Sequence, residues 1–226
     1  MSTDAIKKAV GYKVAEFVQN GMRLGLGTGT TVFFFIERLI QRCQGGLKIH
    51  VAASSERSFE QARKGGIPLL DIDTLTSLDL IVDGADEIDP QKRMIKGGGG
   101  ALVREKILAS ISKEMVVIVD EKKLVTALGH CKLPVEILPF ANNATLHHIA
   151  KAGYRGSFRK KSDDSLYITD NGNLIIDIHF DKLRENPEAD HDTLIQIPGV
   201  VETGFFFNLA GRVVIGFADG QVVIKP

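Results

Sequence analysis

Short apolar runs alternate with helical patterns through the first half of this chain, and the polar segments that follow them are rich in glycine, serine and aspartate. Met22 to Gly27, Leu47 to Ala53, Ile67 to Ile72, Leu78 to Val82 and Met115 to Val119 read as strands with little polar content. Strands that are apolar on both faces must be covered on both faces, which predicts a parallel sheet between layers of helices. The intervening patterns agree. Asp4 caps a helix to about Val18 or Gln19, with Ile6, Val10 and Val14 on one face. Thr30 or Thr31 caps Val32 to about Cys43, and Glu56 to Lys64 follows Ser54-Ser55. In such sheets ligands bind beyond the carboxyl ends of the strands. Gly27 to Thr31, Ser54-Ser55, Asp83 to Glu87 and Asp120 to Lys123 all fall there.

The pattern changes near His130. Val135 to Leu138, bounded by Pro134 and Pro139, reads as a strand and Ala144 to Ala152 as a helix. Tyr154 to Arg159 and Leu166 to Thr169 alternate as strands, and the turn Asp170-Asn171-Gly172-Asn173 leads into Leu174 to Phe180. Asp192 to Gln196 reads as a short helix and Val200 to Phe207 as a strand. This order is that of a split βαβ, ferredoxin-like unit. A hairpin of Arg212 to Gly216 and Gln221 to Lys225, turned at Asp219-Gly220, closes the chain. The expected fold is therefore α/β. A Rossmann-like parallel-sheet domain takes residues 1–129 plus 208–226, and a smaller α+β, ferredoxin-like lid domain takes residues 130–207.

A chain of 226 residues suits one large domain or a domain with a smaller companion. Lys and Arg total 28 and Asp and Glu total 28, so no bulk charge favours nucleic acid or an anionic membrane. No apolar run approaches the ~20 residues of a membrane span. The first residues, Met1 to Lys8, lack the apolar core of a signal peptide. Cys43 and Cys131 form no close pair and read as free thiols. These features together predict a cytoplasmic location, with no nucleic-acid or membrane partner.

Lys96-Gly97-Gly98-Gly99-Gly100 runs straight into a helical pattern. Without Cβ atoms the backbone takes left-handed angles there and lets a ligand approach closely. The helix that follows presents N–H groups and a positive dipole end. At about 100° per residue, Ala101, Leu102, Leu108 and Ala109 share an arc with Glu105 in its middle. Two readings of Glu105 stand: a core-edge carboxylate paired with a lysine or arginine, and a general base made basic by desolvation.

Gly25 to Thr31 contains Gly-x-Gly but carries threonine at 30, where a dinucleotide fingerprint needs its third glycine. The next strand ends in Ala53-Ser54-Ser55, with no acid for a ribose hydroxyl, and a Walker loop is absent. A strand, a glycine turn with Thr28, Thr30 and Thr31, and a helix start suit a single phosphate, with Lys7 and Lys123 available as cations. The plainer alternative is a tight turn with a threonine cap. Asp83-Gly84-Ala85-Asp86-Glu87 puts three acids at one strand end. Helix capping, a Mg²⁺ site, and hydroxyl binding with proton transfer all suit such a loop, and Lys96 weighs against the metal. His147 and His148 are adjacent, so on a helix their rings diverge and make a poor ligand pair. A phosphate cradle, carboxylates, a lysine and an isolated glutamate together suit proton abstraction beside the carbonyl of a phosphosugar.

These blocks carry a resemblance. Gly25 to Thr31, Ser54-Ser55, Val82 to Ile88, Met94 to Gly99, Arg104-Glu105-Lys106, Leu133 to Glu136, Thr169 to Asn173 and Ile197 to Val201 resemble ribose-5-phosphate isomerase type A, from Lys7 to the final hairpin. Two positions depart from the family pattern: Thr30, where serine is usual, and Gly100, where alanine is common, which suggests a looser turn. The resemblance implies interconversion of D-ribose 5-phosphate and D-ribulose 5-phosphate through an enediolate in the pentose phosphate pathway, without metal or other cofactor, by a homodimer or a dimer of dimers. It implies Glu105 as general base, Lys96 as stabiliser of negative charge, and Asp83 and Asp86 as hydroxyl ligands, Asp83 carrying a proton. Thr28, Gly29, Thr30, Thr31, Lys123 and Lys7 would hold the phosphate. Gly84, Ala85, Gly97, Gly98 and Gly99 would line the sugar. The rivals are a sugar-phosphate-sensing regulatory domain and an amino-sugar-phosphate isomerase or deaminase of similar fold.

Overall fold

The computed structural model describes residues 1–226. In chain order it contains α1 (Thr3–Ala15), β1 (Arg23–Leu26), α2 (Thr30–Gln44), β2 (His50–Ala53), α3 (Glu56–Lys64), β3 (Leu80–Asp83), β4 (Glu87–Ile88) and β5 (Met94–Ile95). There follow α4 (Leu102–Ser110), β6 (Met115–Asp120), β7 (Leu133–Ile137), α5 (Asn142–Lys151), β8 (Arg155–Phe158) and β9 (Leu174–His179). The chain ends with α6 (Pro187–Ile195), β10 (Val200–Thr203), β11 (Phe205–Phe206), β12 (Ala210–Gly216) and β13 (Val222–Lys225). No helix is long and apolar enough to cross a membrane.

The chain forms two compact units, one of Met1–Ala85, Arg104–Lys123 and Leu209–Pro226, the other of Asp86–Val103 and Leu124–Asn208. These bounds differ from the expected domains 1–129 plus 208–226 and 130–207. Residues 86–103 go with the second unit because β4 and β5 pair with β11 in one sheet. Leu124 goes with it through a bridge to Ile88. Two-residue strands carry no periodicity, so β4 and β5 were invisible to pattern reading.

In the first unit the sheet order is β13-β12-β6-β3-β1-β2. All neighbours are parallel except β12 and β13, which form the closing hairpin. Every residue of β6 is buried, as a strand covered on both faces requires. Val10 and Val14 of α1 and Phe35, Ile36 and Leu39 of α2 share a core with Leu24, Leu26, Val82 and Val116. Each such side chain stabilises the unit by roughly 1.5–3 kcal/mol. Because β1 lies between β2 and β3, the chain leaves β1 toward one neighbour and later returns to the other. That reversal opens a crevice at the carboxyl ends of β1 and β3.

Three local expectations need correction in this unit. Ser2, not Asp4, caps α1, its hydroxyl accepting from the Ala5 N–H (3.3 Å), while Asp4 sits in the first turn near the dipole. The N-cap of α2 is Gly29 at φ 115°, with no side-chain cap bond, so Thr30 and Thr31 are already helical. Ile67 to Ile72 is not a strand: Pro68 lacks an N–H, and a single bridge of Leu69 to Val51 precedes a 3₁₀ turn at Ile72–Thr74.

In the second unit β7-α5-β8-β9-α6-β10 builds an antiparallel sheet in the order β10-β7-β9-β8, the ferredoxin-like arrangement. Its core joins Val135, Ile137, Ile176 and Ile178 to Ile149 and Leu194 of the two helices. Pro134 lies inside β7 rather than bounding it, in register with Asp177. Leu166 to Thr169 makes only bridges, to Lys160 and Leu174. The final helix begins earlier than expected, at Pro187, with the Asn186 side chain capping Ala189 N–H (3.2 Å). Val200 to Phe207 is two strands, split at Gly204. A Cβ there would lie 2.4 Å from the Lys96 carbonyl oxygen, so only glycine lets the two backbones meet.

Candidate active site

The first unit builds its polar cluster at the tips of β1, β2 and β3. Asp83, the last residue of β3, is fully buried. Its Oδ1 accepts from the N–H groups of Thr28 (3.0 Å) and Gly84 (2.8 Å). Two backbone donors on one oxygen hold the carboxylate in one orientation. Gly27 makes room for it: a Cβ at that position would fall 2.0 Å from Asp83 Oδ1. The turn is tied further by Thr28 Oγ1 to Ser54 Oγ (2.9 Å) and by the Ser58 hydroxyl donating to the Gly27 carbonyl (2.6 Å). Ser55 caps α3 through Ser58 N–H (3.3 Å). Ser54-Ser55 was expected at this edge of the sheet, whereas Ser58 was not singled out. Serine at Ser55 and again at Ser58, where a glutamate would complete a capping box, was the available signal.

Gly29 and Thr30 are exposed at the start of α2, Thr28 is half-buried, and Thr31 is buried. The turn thus presents hydroxyls and the free N–H groups of a long helix, a setting suited to an anion. Lys7 on α1 and Lys123 in the 3₁₀ turn after β6 are both half-buried. The carboxylates next to Lys123 have other partners: Asp120 Oδ1 accepts from Lys122 N–H (3.0 Å) and Glu121 Oε1 from Ala218 N–H (3.1 Å). Glu105 on α4 is 3% exposed, and Ala101, Leu102, Leu108 and Ala109 are buried with it, as the helical period predicts. The adjacent Arg104 pairs with Glu56 (3.1 Å).

The second unit holds the rest. Asp86 donates its N–H to Ile95 O (2.8 Å), and its Oδ2 accepts from Gly98 N–H (2.7 Å). Lys96 is 2% exposed. Its backbone N–H reaches Gly204 O (2.8 Å), and its ammonium lies 5.3 Å from the centre of the Phe206 ring. Of the three acids at this strand end, Asp83 belongs to the first unit and Asp86 and Glu87 to the second. Glu87 is buried and its carboxylate caps the Gly129 N–H (2.8 Å) and the Cys131 N–H, a structural task. His147 and His148 are exposed on α5. Gly100 does not make a looser turn. It is buried at φ 81°, and the Tyr167 hydroxyl occupies the space a Cβ would need, 2.4 Å from its ideal position.

The comparisons with known proteins agree along the whole chain. Residues 50–220 match the family described as ribose 5-phosphate isomerase A (phosphoriboisomerase A). The ribose-5-phosphate isomerase A of Protochlamydia amoebophila is 56% identical over 96% of this chain and 94% of its own. The solved ribose 5-phosphate isomerase of Plasmodium falciparum superposes with a TM-score of 0.95 at 37% identity, covering 99% of this chain and 98% of that one. A D-ribose-5-phosphate isomerase solved in complex with phospho-erythronic acid superposes at 0.93 with 34% identity, covering 100% of this chain and 99% of that one. A family match over most of the chain and more than half identity to a full-length relative leave one conclusion: this chain belongs to the ribose 5-phosphate isomerase A family.

Proposed function

We propose that the chain is an aldose–ketose isomerase acting on D-ribose 5-phosphate and D-ribulose 5-phosphate in the non-oxidative pentose phosphate pathway. The observation that carries this is the 56% identity to a ribose-5-phosphate isomerase A across nearly the full length of both chains. In the open-chain aldose, the Glu105 carboxylate takes the proton from C2, and the C2–H electron pair forms the C1–C2 double bond of a cis-enediolate while the C1 carbonyl electrons move to oxygen. Glu105 then returns the proton to C1, while Asp83 takes the O2–H proton, so that the C2 carbonyl forms, and delivers it to the negative O1. Lys96 stabilises the negative oxygen through its ammonium. Asp83 carries a hydroxyl proton and assists ring opening, and Asp86 binds a hydroxyl, with Gly84, Ala85 and Gly97 to Gly99 lining the sugar. Burial of Glu105 and the fixed orientation of Asp83 support these roles. Purified protein should convert ribose 5-phosphate in a coupled assay. Absence of turnover, with conversion of an amino-sugar phosphate instead, would overturn the substrate assignment.

The phosphate is assigned to Thr28, Gly29, Thr30 and Thr31, with Lys123 and Lys7 as cations. Such binding is nearly the same in ground and transition states, so its loss shows mainly in KM. Lys123→Ala is expected to raise KM for ribose 5-phosphate about 10–100-fold, the worth of a charge-assisted hydrogen bond, with a smaller change in kcat. Inhibition by inorganic phosphate should weaken in parallel. If Lys123 is a solvated surface lysine, neither quantity moves, and Lys7 becomes the principal cation.

Catalysis without a metal follows from the same assignment, because Lys96 supplies the positive charge. Activity should survive exhaustive EDTA treatment. A loss restored by Mg²⁺ or Mn²⁺ would make the Asp83–Glu87 loop a metal site. A homodimer in the cytoplasm completes the proposal. The exposed Phe140 (87%) and Leu138 (48%) support a further contact surface. Sedimentation of the native chain tests the dimer.

A further inference from the structure

We propose that Arg159 and Tyr167 are positioning residues that set the peptide planes of the Gly97–Gly100 turn and, through the Gly98 N–H, the carboxylate of Asp86. The inference rests on the assignment of that turn and Asp86 to the substrate. Four consecutive glycines have no intrinsic preference for one conformation and lose more freedom on ordering than any other residues. Something outside the turn must therefore choose its shape.

The choosing contacts all come from the sheet side of the second unit. Arg159 follows β8, and its Nη1 donates to the carbonyls of both Gly97 (2.9 Å) and Gly98 (3.1 Å). The Tyr167 hydroxyl donates to the carbonyl of Gly99 (3.1 Å). Three successive carbonyls are thus gripped by two side chains. In a trans peptide the N–H of the next residue points opposite to the carbonyl. Each gripped carbonyl thereby sets the direction of the N–H in its own peptide plane. That of Gly98 meets Asp86 Oδ2 at 2.7 Å, and that of Gly100 closes the turn on Gly97 O at 2.9 Å. Gly98 and Gly99 are exposed within this turn, so its backbone meets solvent there.

The clamp is itself rigid. Arg159 is held as a fork by both oxygens of Asp177, at 3.0 Å through Nε and 2.5 Å through Nη2. The guanidinium lies 5.8 Å from the centre of the Tyr167 ring, and the Tyr167 N–H donates to the Arg159 carbonyl (2.9 Å). Burial, and then the nearby Asp170 charge, push the Tyr167 phenol above its ordinary range, so the hydroxyl remains a donor. Tyr167 reaches Gly99 only because position 100 has no Cβ. The hairpin that follows Tyr167 is anchored too, since buried Glu136 Oε1 accepts from the Thr169 hydroxyl (3.1 Å) and from the amides of Asn171 (3.0 Å) and Asn173 (2.9 Å).

The test uses Tyr167→Phe and Arg159→Met in the full-length protein, with phospho-erythronic acid and inorganic phosphate as inhibitors. Tyr167→Phe removes one neutral hydrogen bond and should lower kcat/KM about 2–10-fold. Arg159→Met removes charge-assisted ones and should lower it about 10–100-fold. Both should weaken phospho-erythronic acid by similar factors, leave inhibition by inorganic phosphate unchanged, and speed hydrogen exchange at the Gly98 and Gly100 amides. Turnover by the wild type with unchanged kcat/KM in both variants would sink the positioning role while leaving the isomerase reading intact. Equal weakening of both inhibitors together with a lowered Tm in Tyr167→Phe would reduce the clamp to a structural one. A wild type that does not isomerise ribose 5-phosphate would remove the parent reading instead.

Discussion

Glu105→Gln is expected to fold like the parent protein and to lose about 10²–10⁴-fold in kcat, the range for removal of a general base. Glutamine keeps the length and shape of glutamate, which matters on a helix where the side chain is only 3% exposed. A shorter residue would leave a cavity and mix a packing loss with the chemical one. The variant should keep its Tm and its inhibition by inorganic phosphate, since the proposed phosphate site does not include Glu105. In deuterated water it should also stop exchanging the substrate's transferable hydrogen with solvent, because no other group takes that proton. A kcat near the parent's would remove Glu105 from the mechanism and return it to the plainer reading of a paired core carboxylate.

Lys96→Met is expected to lower kcat about 10²–10³-fold, the usual cost of deleting one preorganised donor aimed at developing negative charge. The negative charge is larger on the enediolate than on the neutral carbonyl, so the loss should fall mainly on kcat and much less on KM. Methionine preserves the unbranched stem, and its sulfur can stay against the Phe206 ring that the ammonium now faces at 5.3 Å. The backbone bond of residue 96 to Gly204 O (2.8 Å) is untouched by the substitution. Folding should therefore survive, and circular dichroism with a thermal melt will show whether it does. A rise in KM with an unchanged kcat would make Lys96 a ground-state ligand and leave the enediolate without its proposed stabiliser. This outcome is the mirror image of that expected for Lys123→Ala, so the pair separates charge stabilisation from phosphate binding.

Some of this was legible in the chain because its cause is local. Apolar runs such as Met115 to Val119 announce a strand covered on both faces, and β6 is buried throughout. The 3.6-residue period placed Glu105 on a buried face before any neighbour in space was known. The chain order of strands and helices after His130 was enough to expect a ferredoxin-like unit, because that order leaves few ways to pair the strands. Local signals failed where a neighbour in space overrode them. Pro68 reduced an apolar run to a bridge, and the Lys96 carbonyl broke Val200 to Phe207 at Gly204.

By itself the sequence determined which segments become strands and helices at the heart of each unit, which residue types gather at strand ends, and which family the chain resembles. Those follow from side-chain period, backbone preference and motif, all properties of neighbouring residues. Only the tertiary structure decided that Gly27 exists to admit Asp83, whose carboxylate reaches Thr28 across 55 positions of chain (3.0 Å), and that Arg159 holds Gly97 across 62 (2.9 Å). It also divided the three acids, leaving Asp83 in one unit and Asp86 and Glu87 in the other. The physical reason is that such meetings depend on which strands become neighbours. β1 lies beside β3, and β5 beside β11, through hydrogen-bonded pairing and burial summed over whole sheets. No short window of sequence carries that sum.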